Sequence, residues 1–137
     1  MKIYFAGSIR GWREDVEVYE EIIKHLQTHG EVLTEHIGDK KLDQLGEKDD
    51  NYIYERDLSW VMSADCTVAE VTTPSLGVGF EIGRATAVNK KVLCLYKVQE
   101  NKKLSAMIAG CPDVTVKKYN SLDEAKKIID EFFKVIS

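Results

Sequence analysis

The 137-residue sequence has no apolar run long enough to span a bilayer: its uninterrupted hydrophobic stretches are a few residues long, against the roughly 20 that a membrane helix needs. Its opening, MKIYFAGS, lacks the basic and then apolar regions of a signal peptide, so a cytoplasmic location is expected. An excess of basic charge is missing as well. Lys+Arg number 19 against 23 Asp+Glu, a net charge of −4, which argues against binding along a nucleic-acid backbone and leaves room only for a local cationic pocket. Cysteine is scarce: Cys66, Cys94 and Cys111 cannot all pair, and the first two fall in apolar runs. Reduced core thiols are therefore expected rather than a disulfide framework, and no zinc site is supported. There is no internal repeat, low-complexity stretch or composition break, so one domain over residues 1–137 is expected. Hydrophobic residues at 44% and charged residues at 31% are what a globular domain carries.

Strand-like and helix-like segments alternate along the chain. Lys2 to Ala6 reads as a first strand ending at Gly7-Ser8; Glu14 to His29 carries Val18, Ile22, Ile23 and Leu26 at helical spacing and stops at Gly30. Glu31 to Glu35 is a short second strand, and the polar stretch Ile37 to Asp50 reads as a mobile loop able to lie over a site. A helix from Asn51 to Met62 leads into a buried strand, Cys66 to Val71, and Pro74 breaks the chain after it. Val78 to Val88 is a helix rich in small residues, Val92 to Tyr96 a fourth strand, Leu104 to Ile108 a helical turn and Val114 to Tyr119 a fifth strand. Ser121 and Glu124 form a capping box that opens the last helix, with Ala125, Ile128, Ile129, Phe132 and Val135 on one side. The pattern predicts an α/β fold with a doubly wound, five-stranded parallel sheet, flavodoxin-like or Rossmann-like, whose ligands lie off the carboxyl ends of the strands.

That rule nominates Gly7-Ser8-Ile9-Arg10-Gly11, Thr72 to Glu81, and Leu104 to Met107. Each offers a hydroxyl (Ser8, Ser75, Ser105), two add glycines that let backbone N–H groups approach a ligand, and the first adds Arg10. Any one of them alone is ordinary turn chemistry; together they point to an anion cradle, with phosphate the obvious guest. Gly77-Val78-Gly79-Phe80-Glu81-Ile82-Gly83 misses the dinucleotide fingerprint, because the third glycine should stand where Ile82 is, and no Gly-Lys-Ser/Thr of a P-loop occurs.

Glu81 is placed at the start of a helix where a ligand would sit, with a macrodipole-favoured carboxylate as its plain alternative. Asp57 and Glu70 could converge on it, as glycosyl transfer or hydrolysis requires of two carboxylates. Asp57 could equally lie on a solvated face, and Glu70 ends a core strand. Tyr4 can reach the site with its hydroxyl or serve as a core aromatic. His36 stands at the mouth of the sheet, either against a base or as an ordinary loop residue, while His25 and His29, at metal-ligand spacing but without a third ligand in view, read as solvated.

Tyr4 to Gly11, Leu33-Thr34-Glu35-His36, Asp57-Leu58, Leu104 to Ile108 and above all Ala69 to Ala85, with its Pro-Ser-Leu-Gly-Val-Gly-x-Glu block, resemble the 2′-deoxynucleoside 5′-phosphate N-hydrolases of the nucleoside 2-deoxyribosyltransferase superfamily. The resemblance is poor from Ile37 to Asn51 and after Gly110. It implies a homodimer that cleaves the N-glycosidic bond of a 2′-deoxynucleoside 5′-monophosphate and needs no metal or organic cofactor. It makes Glu81 the nucleophile, Asp57 a carboxylate assisting departure of the base, and Tyr4 a hydrogen-bonding partner near nucleophile and ribose, where crowding at C2′ disfavours a ribonucleotide. Ser8, Arg10, Ser75 and the backbone around Gly7, Ile9, Gly11 and Gly77 correspond to the phosphate cradle. Ser105 comes from the partner subunit, Ala106 and Met107 beside it are also counted as substrate-binding, and His36 corresponds to a residue near the base. Trp12 stands where the family usually has a glycine, which adds a ring at the mouth of the cradle. The alternatives are a deoxyribosyltransferase, a ribonucleotide (CMP-type) N-glycosidase and a non-catalytic nucleotide-binding module.

Overall fold

Buried β-branched runs and amphipathic segments do alternate in space as they do in sequence. In the computed structural model, which describes residues 1–36 and 49–137, the order is β1 (Lys2–Gly7), α1 (Ile9–Glu14), α2 (Val16–Leu26), β2 (Glu31–Leu33), α3 (Asp50–Ser63), β3 (Cys66–Glu70), α4 (Leu76–Ala87), β4 (Lys91–Lys97), α5 (Ala106–Ala109), β5 (Thr115–Tyr119) and α6 (Leu122–Ile136). The five strands form one sheet in the order β2-β1-β3-β4-β5, all pairs parallel, with Ile3 opposite Cys66 and Gly7 opposite Glu70. This is the flavodoxin-like order, and its switch point lies between β1 and β3, where a ligand crevice opens at the carboxyl ends. No helix among the described residues is long and apolar enough to cross a membrane.

Two apolar layers sandwich the sheet. Ile3, Phe5, Val68, Leu93 and Leu95 pack under α2 and α6, which contribute Val18, Ile22, Ile23, Leu26, Ile129 and Phe133. Tyr4, Ala6, Ala69, Cys94 and Tyr96 face the other way, onto α3 and α4 through Val61, Val78, Ile82 and Ala85. Every residue of β3 is buried, Thr67 and Glu70 included, which is the mark of a central parallel strand covered on both faces. Helix α3 buries only Val61, because its other inward residues line an open cleft rather than a packed core.

The structure departs from the sequence reading in several elements. The helix expected from Glu14 to His29 is α2, shorter at both ends (Val16–Leu26), and a separate short helix, α1, precedes it where a loop is expected: Ser8 starts α1 as an N-cap, and Asp15, at φ −138° with its N–H donating to Gly11 O at 2.8 Å, divides the two. The apolar spacing that begins at Val18 carries no sign of that first short helix. Strand β2 ends at Leu33 rather than Glu35. Helix α4 begins at Leu76, because Ser75 Oγ accepts from Val78 N at 3.3 Å, so the helix starts two residues before the expected one. The expected loop from Ile37 lies outside the described residues as far as residue 48; Asp49 then caps α3, accepting from Tyr52 N at 2.8 Å.

Candidate active site

At the switch point a cleft of about 620 Å³ is lined by Gly7, Ser8, Ile9 and Arg10 from the end of β1 and start of α1, by Asp57 and its neighbours on α3, and by Pro74, Ser75, Gly77 and Glu81 around the start of α4. Its volume lies within the range of small-molecule sites.

The reactive geometry centres on Glu81. Tyr4 alternates inward from β1 towards the α3–α4 layer, is almost wholly buried, and donates its hydroxyl to Glu81 Oε2. Glu81 stands in the second turn of α4, since that helix begins at Leu76, so the macrodipole explanation of a first-turn carboxylate no longer accounts for it. Burial pushes the Glu81 carboxyl up to about 8; the Tyr4 hydrogen bond opposes this, Asp57 and Glu35 add to it by charge repulsion, and Arg56 opposes it. The Tyr4 phenol is raised far above its ordinary range, first by burial and then by the Glu81 charge, so it stays a donor.

Asp57, mid-helix on α3, is not on a solvated face: its side chain is 13% exposed, and its Oδ1 accepts from Arg56 Nε at 2.9 Å. Arg56 also reaches Glu35 Oε2 at 3.6 Å and lies over the Trp60 ring at 4.8 Å. Neither Glu35 nor Arg56 is marked by local spacing as part of a site. Both become visible only when β2, α3 and α4 meet around the cleft. At the rim, Tyr54 packs edge-on to Phe80 at 6.0 Å, and Arg84 Nη1 donates to the Tyr54 hydroxyl at 3.2 Å.

The anion-cradle residues sit at two helix starts. Ser8 Oγ accepts from Gly11 N at 2.7 Å, and Ser75 caps α4. A Cβ at Gly77 would meet only Ser75 Oγ, at 3.9 Å, and without it the backbone there can be approached closely. Arg10 is exposed and held by Glu14 at 2.9 Å, its i+4 neighbour on α1. Gly11 does not line the cleft: a Cβ there would collide with the Tyr19 hydroxyl and Ser8 Oγ, so its glycine serves close packing.

Several sequence expectations are corrected by placement. Glu70 does not converge on Glu81; it points to the opposite face of the sheet, where it accepts from Thr72 N at 2.7 Å, Thr72 Oγ1 at 2.9 Å and the Tyr119 hydroxyl. His36 is buried outside the cleft lining, its Nε2 facing Gly7 O at 3.2 Å and its ring stacked on Trp12 at 4.8 Å. Trp12 therefore packs towards the α2 side and does not put its ring at the cradle's mouth. Ser105 and Met107 line an adjoining hollow that shares Pro74, Ser75 and Val78 with the cleft; Ala106 lines neither. His25 and His29 are not simply solvated: both meet Asp130 Oδ1 at 2.7 Å, far from Glu81 in the fold.

Fold and site together define a class: a flavodoxin-like α/β domain carrying a buried Tyr–Glu pair with further carboxylates at its switch point, beside two hydroxyl-capped helix starts. The chain belongs to the nucleoside 2-deoxyribosyltransferase family, whose model matches residues 3–128. It is 49% identical over 142 residues to the 5-hydroxymethyl-dUMP N-hydrolase of Danio rerio, covering 100% of this chain and 99% of that one. To the Homo sapiens protein of the same name it is 47% identical over 139 residues, covering 96% and 79%. Among solved structures, the CMP N-glycosidase BcmB of Clostridium botulinum shares the fold with a TM-score of 0.67 at 23% identity, covering 95% of this chain and 99% of that one.

Proposed function

We propose that the protein hydrolyses the N-glycosidic bond of 2′-deoxynucleoside 5′-monophosphates to free base and 2-deoxyribose 5-phosphate. The observation that carries the reading is the Tyr4–Glu81 pair in a cleft that Asp57 also lines and that is bordered by the starts of α1 and α4. The names of the relatives, which are hydrolases of a deoxynucleoside monophosphate, support it.

In this mechanism the ionised Glu81 attacks C1′, the C1′–N bond breaks, and the base leaves with its electron pair and with help from Asp57. Water then opens the glycosyl ester, adding its hydroxyl to C1′ and giving its proton to the nitrogen of the departed base, and Glu81 returns as the carboxylate. A carboxylate whose pKa is held high is the stronger nucleophile once ionised. Tyr4 orients it through its single hydroxyl and crowds C2′, against a ribose 2′-hydroxyl. Ser8, Ser75, the N–H groups near Gly77 and Arg10 take the 5′-phosphate, Arg10 exchanging its exposed Glu14 partner at small cost.

The phosphate cradle favours a nucleotide hydrolase over a nucleoside transferase, for which four of these groups would have no anion to hold. A homodimer completes the site: Leu76 and Met107 are 96% and 82% exposed around the hollow that holds Ser105, an apolar face suited to a second copy that would bring its own Ser105 to the cradle.

Chromatographic product analysis tests the reading. With 5-hydroxymethyl-dUMP, the other deoxynucleotides, ribonucleotides and nucleosides offered separately, deoxynucleotides should release base and 2-deoxyribose 5-phosphate. Equal turnover of a deoxynucleoside and its monophosphate would overturn the assignment in favour of a transferase.

A further inference from the structure

At the amino-terminal edge of the sheet, opposite the catalytic cleft, α2 and α6 bring three donor side chains to one point. His25 and His29 stand one helical turn apart near the end of α2, and Asp130 comes from the middle of α6. Both Nε2 atoms lie 2.7 Å from the same Asp130 Oδ1, and the three donor atoms are within 4.8 Å of one another. The two imidazoles are partly sheltered, at 20% and 25% exposed, while the Asp130 side chain is 48% exposed and opens the cluster to solvent. It is also held in orientation, since the His29 ring stacks on Phe133 at 4.4 Å and 13°, and the His25 ring meets it edge-on at 5.7 Å.

We infer that His25, His29 and Asp130 form a binding site for a borderline divalent cation of the Zn²⁺ class that clamps α6 to α2. Two imidazoles and a carboxylate are the donor set such a cation takes, with water completing a tetrahedron. Metal–ligand bonds of about 2.0–2.1 Å place tetrahedral donors roughly 3.3 Å apart, so to admit the ion the two 2.7 Å contacts open by about half an ångström and the two Nε2 atoms, within 4.8 Å of each other, draw in by up to about 1.5 Å. To hold the ion each ring presents its Nε2 lone pair in place of the contact with Asp130, with its hydrogen on Nδ1. The cation joins residues more than 100 positions apart in the chain (|i−j| of 105 and 101), so it opposes separation of the last helix. The reaction at Glu81 needs nothing from it.

The test uses the whole protein. Calorimetric titration of the wild type with Zn²⁺ alone should show one ion per chain, and Zn²⁺ should raise Tm by several degrees at saturating concentration. His25→Gln with His29→Gln, and separately Asp130→Asn, should weaken binding by on the order of a hundredfold, since even an outer-shell loss costs 10–100-fold, and should remove the Tm shift. Co²⁺ in the wild type should give the visible bands of a tetrahedral nitrogen and oxygen site, a readout that survives even if a variant fails to fold. Absence of stoichiometric Zn²⁺ binding, binding undiminished in the folded double variant, or a thiolate-to-cobalt charge-transfer band from a cysteine such as Cys111 would overturn the inference.

Discussion

Among the described residues two tyrosine–glutamate pairs, Tyr4–Glu81 and Tyr119–Glu70, lie on opposite faces of the same sheet, and they do different things. Glu70 is 2% exposed and receives three hydrogen bonds, from Thr72 N, Thr72 Oγ1 and Tyr119. Its carboxyl is raised by burial and pulled back by all three donors. Thr72 Oγ1 also accepts from Lys97 N at 2.8 Å, so the network ties the β3 exit to β4 and β5. Glu81 keeps its tyrosine, but Asp57 and Glu35 push its carboxyl up in place of further donors pulling it down, and a cleft opens beside it. Residue type is the same in both pairs. A saturated carboxylate without a cleft holds strands together, whereas an under-stabilised one facing a cleft is poised for chemistry.

The largest expected effect separates the two glutamates. Glu81→Ala should lower kcat by at least about 10³-fold, the scale of losing a nucleophile, with nucleotide binding by calorimetry retained. Glu70→Ala should instead cost roughly 2–4 kcal/mol of stability in denaturant unfolding, because buried donors lose their acceptor, with kcat little changed. Next come the tyrosines. Tyr4→Phe should reduce kcat by about 10²-fold, as loss of a preorganised donor does, and Tyr119→Phe should leave kcat near wild type while lowering Tm.

Smaller effects sharpen the electrostatic half of the comparison. The kcat/KM profile of the wild type should rise with pH as Glu81 ionises, on a limb near 8. Replacing Arg56 by Gln removes a charge that lowers this value, so the limb should move up; Glu35→Gln removes one that raises it, so the limb should move down. The same raised pKa has a stability sign. Native Glu81 holds its proton more tightly than the unfolded chain does, so the stability it confers is full below about 4.5 and is lost as pH rises through about 8. Glu81→Gln should therefore stabilise the protein in alkaline buffer and not near pH 4, measured by urea unfolding at the two extremes. Smallest of all, Arg10→Ala should raise KM roughly three- to tenfold, an exposed charge-assisted contact being modest in worth, and leave kcat unchanged.

What could be read from the sequence follows the reach of local pattern. Period-2 and period-3.6 spacing, the Ser121 cap and the switch-point rule are enough for all five strands and for the neighbourhood of Ser8, Ser75 and Glu81. What escaped depends on partners distant in the chain. Glu70 meets Tyr119 across 49 positions and His25 meets Asp130 across 105, distances over which periodicity says nothing. Helix α1 escapes for a different reason: its six residues carry Gly11 and no apolar periodicity, so the Ser8 cap that starts it reads as turn chemistry. Asp57 looked equally like a solvated residue, because an α3 face that lines a cleft has the polarity of a surface face.

The most direct test of the division between the two pairs is to trap the reaction itself. The wild type is mixed with 5-hydroxymethyl-dUMP, quenched in acid within a turnover, digested and examined by mass spectrometry. A 2-deoxyribose 5-phosphate adduct on the peptide at Glu81, absent from Glu81→Ala, is the predicted result. An adduct on another residue, or full turnover by Glu81→Ala, would contradict it.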